Sequence, residues 1–298
     1  VKYDIMEGLS VTGRLRYERG DEKWIYNEYA SSTGGRNQMG TMKDSRIFSE
    51  QMYGDILASY NKSWEDTYTL SVTAGSSFTK TTGSSVDLIG WGDSKFSVVD
   101  GKPTGSAYYP NIFSPANYYR MTTTESLKEK RLNSVFATAQ FGYKEGLFLD
   151  VTARNDWSSA LAYTDGVSFF YPSVGLSAVL SEMFDLPEVI TYAKVRGSYT
   201  VVASSFDRFL TNPGYVYNGQ THNWENPTTY PMKNMKPEKT KSWEVGLNLK
   251  FWENRFSLDA TYYRSNTLNQ TFSVDIPPSS GYNKAIVQAG NVQNQGIE

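Results

Sequence analysis

The fold is decided by Lys236–Arg264, KPEKTKSWEVGLNLKFWENRFSLDATYYR. Within it Trp243, Val245, Leu247, Leu249 and Phe251 occupy every second position, and Ser242, Glu244, Gly246, Asn248 and Lys250 fill the places between. A period of two belongs to a β-strand with one apolar and one wet face. The pattern resumes with Phe256, Leu258, Ala260 and Tyr262 against Ser257, Asp259, Thr261 and Tyr263. Two such runs this close predict a hairpin, and parity predicts its register, because a slip of one residue would turn every side chain to the wrong face. Phe251 should pair with Phe256, Leu249 with Leu258, Leu247 with Ala260 and Val245 with Tyr262, leaving Glu253-Asn254 as a two-residue turn. Aromatics then sit near both ends of an apolar band, as in a barrel wall crossing two membrane interfaces. One sheet of a soluble β-sandwich uses the same alternation, so the hairpin alone leaves both architectures open.

Composition removes other classes. The 298 residues carry a formal charge of -2, whereas a nucleic-acid binder should present a basic face. There is no cysteine, which excludes disulfide frameworks and thiolate metal sites. His222 is the single histidine, too few for a His-rich metal centre, so neither a metal nor another cofactor is expected. No apolar run approaches the roughly 18 residues of a membrane helix, and the mean hydropathy is -0.50. A membrane β-barrel is untouched by that, since only alternate residues face lipid. The chain opens on Val1-Lys2-Tyr3-Asp4, without the pattern of an export signal, and closes on what reads as the first half of another strand. Both ends are expected to be cuts in a longer polypeptide.

The same alternation recurs along the chain. Leu9, Val11, Leu15 and Tyr17 alternate with Ser10, Thr12, Arg14 and Arg16, and a polar stretch then runs to about Ser49. Further alternating runs are Gly54–Tyr60, with Leu57 on the wet side, Tyr68–Ala74, Val135–Phe141, Leu147–Ala153, Val174–Leu180 and Ala193–Tyr199. Long irregular connections are expected at about residues 80–131, 203–240 and 265–289, and short turns at 62–66, at 144–146 and, helical or irregular, at 181–187. The prediction is an all-β chain of about nine or ten strands, each near the ~10 residues that a tilted membrane strand needs. Connections alternate short and long. Several structureless loops of more than roughly 15 residues would count against a compact soluble domain, whereas outer-membrane barrels combine short periplasmic turns with long external loops. The reading is therefore an antiparallel transmembrane β-barrel segment with long extracellular loops. A secreted soluble β-sheet module, binding carbohydrate or acting as an adhesin, is the alternative.

Candidate chemistry is sparse. Ser32-Thr33-Gly34-Gly35 lacks the strand before and the helix with lysine after that a phosphate loop needs. Glu244 and Asp259 could be drawn as an acid–base pair, but a hydrated lumen wall accounts for them. Ser204, Ser205, Asp207 and His222 share one loop, and nothing in the sequence brings them within hydrogen-bond reach as a catalytic set. No enzyme activity is expected. The loop aromatics are better candidates: among Trp24, Trp91, Tyr108, Tyr109, Trp157 and Trp224, the ligand-binding expectation falls on Trp91, Tyr108, Tyr109 and Trp224, whose flat rings can stack on sugar rings or peptide side chains.

The chain resembles the barrel of the SusC/RagA family of TonB-dependent outer-membrane transporters of Bacteroidetes. The resemblance rests on Lys236-Pro237-Glu238-Lys239-Thr240 leading to Trp243-Glu244-Val245-Gly246-Leu247, on Asn254–Asp259 and Thr261-Tyr262-Tyr263, on Ala153-Arg154-Asn155-Asp156-Trp157-Ser158-Ser159, on Tyr171-Pro172-Ser173-Val174, on Leu180-Ser181-Glu182 and on the closing Ala289–Glu298. These motifs span about the last half of the chain. The resemblance implies a barrel of roughly 22 strands, of which this chain is one part, with the plug domain and C-terminal strands outside it. It also implies outer-membrane localisation, a SusD-like surface lipoprotein as lid, energy from a TonB complex contacted through segments outside this chain, and import of oligosaccharides or peptides. The family motifs shape the wall, so no functional residue is carried over. A departure is Arg196-Gly197-Ser198-Tyr199-Thr200-Val201-Val202, where relatives usually have a Gly-Asn-type turn.

Overall fold

The computed structural model describes residues 1–32, 39–65, 67–164, 166–207, 209–211, 213–218 and 223–298. The strands are β1 (Lys2–Met6), β2 (Leu9–Glu28), β3 (Thr41–Trp64), β4 (Tyr68–Gly90), β5 (Ser97–Val99), β6 (Lys102–Thr104), β7 (Met121–Tyr143), β8 (Leu147–Ser158), β9 (Ser168–Val179), β10 (Ile190–Ser204), β11 (Val216–Asn218), β12 (Asn223–Glu225), β13 (Thr229–Tyr230), β14 (Glu238–Phe251), β15 (Phe256–Asp275) and β16 (Lys284–Ile297). A four-residue helix, Leu180–Met183, joins β9 to β10. One sheet takes twelve of the strands in the order β1-β2-β3-β4-β7-β8-β9-β10-β14-β15-β16-β13, antiparallel throughout except for the short parallel pair β13–β16, and it is not closed. Two separate hairpins, β5–β6 and β11–β12, stand in the connections.

The hairpin β14–β15 has the register that parity demands: Phe251 pairs with Phe256, Leu249 with Leu258, Leu247 with Ala260 and Val245 with Tyr262. At its tip Glu253 (φ 56°) and Asn254 (φ 66°) carry the positive φ of a primed hairpin turn. The Arg255 N–H closes that turn on the Trp252 carbonyl at 3.1 Å. Lys144 and Glu145 repeat the device between β7 and β8, with φ 49° and 52°.

Paired residues share a face, so the ladders carry this parity across the sheet. Leu247 is level with Val195 on β10, Leu176 on β9 with Leu149 on β8, Val72 on β4 with Ala139 on β7, and Ala58 on β3 with Val11 on β2. These residues form one outward apolar face. Leu15, Ile56, Val135, Val245 and Phe256 on it are half or more exposed, and only twelve hydrophobic residues are buried among the described ones. A soluble sandwich would have put this face inside. An uncovered apolar band this broad is stable only against another apolar phase, which for an antiparallel wall is lipid.

Strand lengths depart from expectation. The ten long strands run from 12 to 24 residues rather than near ten, with β2, β3, β4, β7 and β15 at 20 or more. The stretches read as polar or irregular at 19–49, 80–131 and 265–289 are in large part their continuations. Above the membrane both faces of a strand meet water, so alternation fades while the ladder continues. β10 likewise passes straight through Val201 and Val202, which pair with Lys241 and Thr240. Short connections gather at one end of the sheet and long ones at the other.

Candidate functional site

The inward face is a polar wall. Arg14, Asp55, Ser77, Ser134 and Asp156 pair in sequence across β2, β3, β4, β7 and β8. Arg14 grips Asp55 with two bonds, Nε–Oδ1 at 2.9 Å and Nη2–Oδ2 at 2.7 Å, and the Tyr53 hydroxyl donates to the same carboxylate at 2.6 Å. Next to it, Arg154 donates to Asp156 at 2.8 Å and to Ser134 Oγ at 2.9 Å, while Tyr171 donates to Asp156 at 2.6 Å. On β10, β14 and β15, Arg196 donates to Thr261 at 2.7 Å and Asp259 at 3.1 Å, and Asn248 donates to Asp259 at 2.9 Å. Each of these three carboxylates is thus matched by an arginine and a neutral donor. Asp259 belongs to this network. Glu244 lies four residues along from Asn248, the partner of Asp259, about 13 Å at strand rise, so the two carboxylates form no acid–base pair.

Leu57, the residue on the wrong parity, does point inward. With Phe136 it covers Gly75, where a Cβ would come within 2.6 Å of Leu57 and 3.1 Å of Phe136. The Arg154 guanidinium lies over the Phe136 ring at 5.6 Å, so this apolar spot is itself capped by a cation.

At the long-loop end the connection between β4 and β7 folds into a small core. Met39, Met42, Ala107 and Tyr118 are buried together, with Leu88, Phe113 and Met121 against them. Buried Asn117 ties the loop by donating to the Tyr109 and Ile112 carbonyls at 2.8 and 2.9 Å and accepting from the Tyr109 N–H at 2.9 Å. Burial pushes the Tyr118 hydroxyl above the ordinary tyrosine range; it donates to the Gly40 carbonyl at 3.3 Å. Glycine is required where this loop meets β3: a Cβ on Gly92 would sit 1.8 Å from the Gly40 carbonyl oxygen.

This core presents aromatic rings outward. Tyr108 packs on Phe96 at 4.2 Å, and Tyr119 approaches the same ring at 5.7 Å. Tyr109 is 64% exposed and Trp91 47%. Trp91, Tyr108 and Tyr109 therefore share one folded loop. Trp224 belongs to another, on β12, edge-on to Tyr217 of β11 at 5.3 Å. Trp24 and Trp157, expected in loops, are on strands β2 and β8; Trp24 stacks with Tyr26 at 5.8 Å under the Lys43 ammonium. Phe96 and Tyr119 completed the platform unannounced. Tyr118 and Tyr119 are adjacent and chemically identical, and only the folded loop separates the buried one from the exposed one.

Ser204, Ser205 and Asp207 line a cleft of about 460 Å³ with Glu238 and Phe272. His222 lies outside the described residues, as do Thr33, Gly34 and Gly35 of the glycine-rich spot. Among the described residues no cluster of carboxylates and histidine is arranged to hold a metal ion, and no helix is long and apolar enough to cross a membrane.

An open antiparallel wall, apolar outside and polar inside, with short turns at one end and folded loops at the other, has known counterparts. Residues 2–298 match the family described as TonB dependent receptor-like, beta-barrel. TonB-dependent receptor P3 of Formosa agariphila is 28% identical over 203 residues, 65% of this chain and 20% of that protein. TonB-dependent receptor P26 of the same organism is 25% identical over 196 residues, 63% of this chain and 20% of its own length. The RagAB peptide importer in its closed-closed state superposes with a TM-score of 0.77 at 17% identity, over 99% of this chain and 32% of that one. The siderophore receptor PiuA from Acinetobacter baumannii reaches a TM-score of 0.57 at 15% identity. The chain spans about a fifth of the length of the curated relatives it matches. It belongs to the TonB-dependent receptor-like β-barrel family, whose members are outer-membrane proteins.

Proposed function

We propose that this chain is part of the wall of a TonB-dependent importer that carries oligosaccharides or peptides across the outer membrane. The observation that carries the reading is the inversion of the sheet, hydrocarbon-facing outside and hydrogen-bonding inside, in a chain of this family. Import through such a wall requires no catalytic group. A lumen studded with paired arginines, carboxylates, serines and threonines offers hydrogen bonds to a polar cargo. The likeness to a peptide importer of the RagAB type supports cargo of oligomer size and a surface lipoprotein partner of SusD type. A plug domain and further strands would complete the barrel, and a TonB complex would supply the energy.

Trp91, Tyr108, Tyr109 and Trp224 are proposed as cargo-contacting residues. The Phe96–Tyr108–Tyr119 platform supports this, because a ring held at fixed orientation loses little entropy when a sugar or peptide side chain stacks on it. The test is uptake of labelled oligosaccharides and oligopeptides by cells with and without the gene for the intact receptor. Accumulation of one class that needs both the receptor and the proton-motive force is expected. Equal accumulation of both classes without the receptor would refute the assignment. In the intact receptor, replacing Tyr108 and Tyr109 by alanine should weaken cargo binding by about tenfold, measured by calorimetry.

A further inference from the structure

We propose that the gap above the start of β14 is a docking slot for an extended peptide, which adds there as a strand along a free edge of β15. The proposal rests on the importer reading above and narrows its cargo to peptides. β14 begins at Glu238, which pairs with Ser204 at the end of β10, and its ladder with β15 begins with Lys239 opposite Leu268. β15 continues to Asp275. Over residues 269–275 it has β16 on one side and, among the described residues, no strand on the other. Both strands beside the gap lie inside the sheet, and the far edge of β16 at this height is covered by β13, so the gap is bounded by strands of this chain.

A kink decides which backbone groups this edge presents. In an antiparallel pair, residues alternate between exchanging both backbone bonds with the partner and facing away from it. Below the kink Thr261 exchanges both bonds with Glu298 at 2.9 Å, which sets the odd-numbered residues of β15 toward β16. Asn269 (φ 60°) and Gly290 (φ 96°) then stand opposite each other in left-handed conformation. Above them the Lys284 N–H bonds the Thr228 carbonyl on the β13 side at 3.3 Å, and the Ile276 N–H bonds the Asn283 carbonyl at 3.0 Å, so the even-numbered residues now face β16. Thr271 and Ser273 therefore turn their backbone N–H and C=O into the gap, where no partner is found for them among the described residues. An unpaired row of this kind is a template for another strand.

The space beside this edge is the cleft of about 460 Å³, with Thr271 and Ser273 on one side, Ser204, Ser205 and Asp207 on the other and Glu238 at the foot. Two strand spacings separate β10 from β15 across β14, roughly 10 Å, which is room for one extended chain. The segment leading into β14 does not fill it. Gln288 holds Lys236 instead, accepting from its N–H at 2.7 Å and donating to its carbonyl at 2.6 Å, and Asn269 donates to the Pro237 carbonyl at 3.2 Å. In strand addition the main-chain bonds supply affinity and side-chain contacts supply selectivity. Phe206, Leu210 and Phe272 offer apolar contacts here, and the Asp207 and Glu238 carboxylates favour a neutral or cationic peptide over an acidic one. An oligosaccharide lacks the repeating N–H and C=O that such an edge reads.

The experiment uses the intact receptor in neutral detergent with a hexapeptide of alternating valine and threonine ended by lysine, its fully N-methylated counterpart and maltohexaose, read by calorimetry and amide exchange. The hexapeptide should bind and slow exchange at Thr271 and Ser273 several-fold, and the other two probes should do neither. Ser273→Pro removes a gap-facing N–H without touching the ladder to β16, and edge strands tolerate proline. It should weaken hexapeptide binding about tenfold, the worth of one hydrogen bond, at unchanged Tm, whereas Ser273→Ala keeps the N–H and should bind as wild type does. Should Ser273→Pro melt lower, the comparison of parent and N-methylated peptide on wild type decides. No protection at Thr271 and Ser273, equal binding of the N-methylated peptide, protection by maltohexaose, or undiminished binding by folded Ser273→Pro would each overturn the slot. A hexapeptide imported by the receptor without protecting this edge would sink the slot alone, whereas uptake that does not need the receptor sinks the importer reading.

Discussion

Leu247 and Asn248 are neighbours in sequence and point to opposite sides of the wall: Leu247 pairs with Val195 and Ala260 on the lipid side, and Asn248 bonds Asp259 on the lumen side. A charge at the two positions therefore meets different solvents. An arginine facing lipid near mid-depth costs about 2–4 kcal/mol, so Leu247→Arg should sharply reduce folded receptor in the outer membrane, measured by heat-modifiable gel mobility. Asn248→Arg adds a cation where Asp259 can pair with it and should assemble normally. Equal damage from both would contradict the facing of β14. A second residue-scale outcome concerns Arg154, whose removal leaves the buried Asp156 with only a tyrosine donor. Arg154→Ala should destabilise the barrel by about 3–5 kcal/mol, the range for a buried pair broken on one side, and Asp156→Asn in the same chain should recover part of that loss in denaturant unfolding.

At the scale of elements, the β4–β7 loop behaves as a folded unit with its own buried core, and Tyr118 makes its stability depend on pH. Burial penalises the ionised hydroxyl, so the closed loop holds the proton more tightly than an open one. The stabilisation is fully present below the open-state value of about 10 and is lost as pH rises beyond it through the raised folded value. The protection of amides in residues 105–120, meaning their exchange rate relative to the base-catalysed rate of an open chain at the same pH, should thus be constant at neutral pH and fall in the alkaline range. Tyr118→Phe, which loses only the hydrogen bond to Gly40, should show no such alkaline step. This loop also marks the boundary of what the sequence disclosed. Register and facing of β14–β15 were legible because lipid and water impose a strict period of two on Trp243–Phe251. The arms of β2, β3, β4 and β7 were not, since water on both faces imposes none and residues such as Lys23, Asp44, Thr82 and Glu129 carry no directional signal. The loop core was illegible for a further reason: Asn117 and Gly92 do their work through contacts across the chain, and a local pattern does not record those.

At the scale of the whole molecule, the wall has a direction. Hairpin tips at Lys144-Glu145 and Glu253-Asn254 belong to the short-turn end, and Tyr109 and Trp224 to the long-loop end. In an outer-membrane barrel short turns face the periplasm and long loops the outside. The chain has no cysteine, so a single introduced thiol reports its own side without background from this part of the receptor. Tyr109→Cys, 64% exposed in wild type, should react with a membrane-impermeant maleimide on whole cells. Glu253→Cys, exposed at the opposite end, should react only after the outer membrane is permeabilised. The two variants serve as each other's control, because both sites are open to solvent and differ only in which compartment that solvent belongs to. Labelling of Glu253→Cys on intact cells with protection of Tyr109→Cys would invert the barrel and place the aromatic platform where no external cargo could reach it.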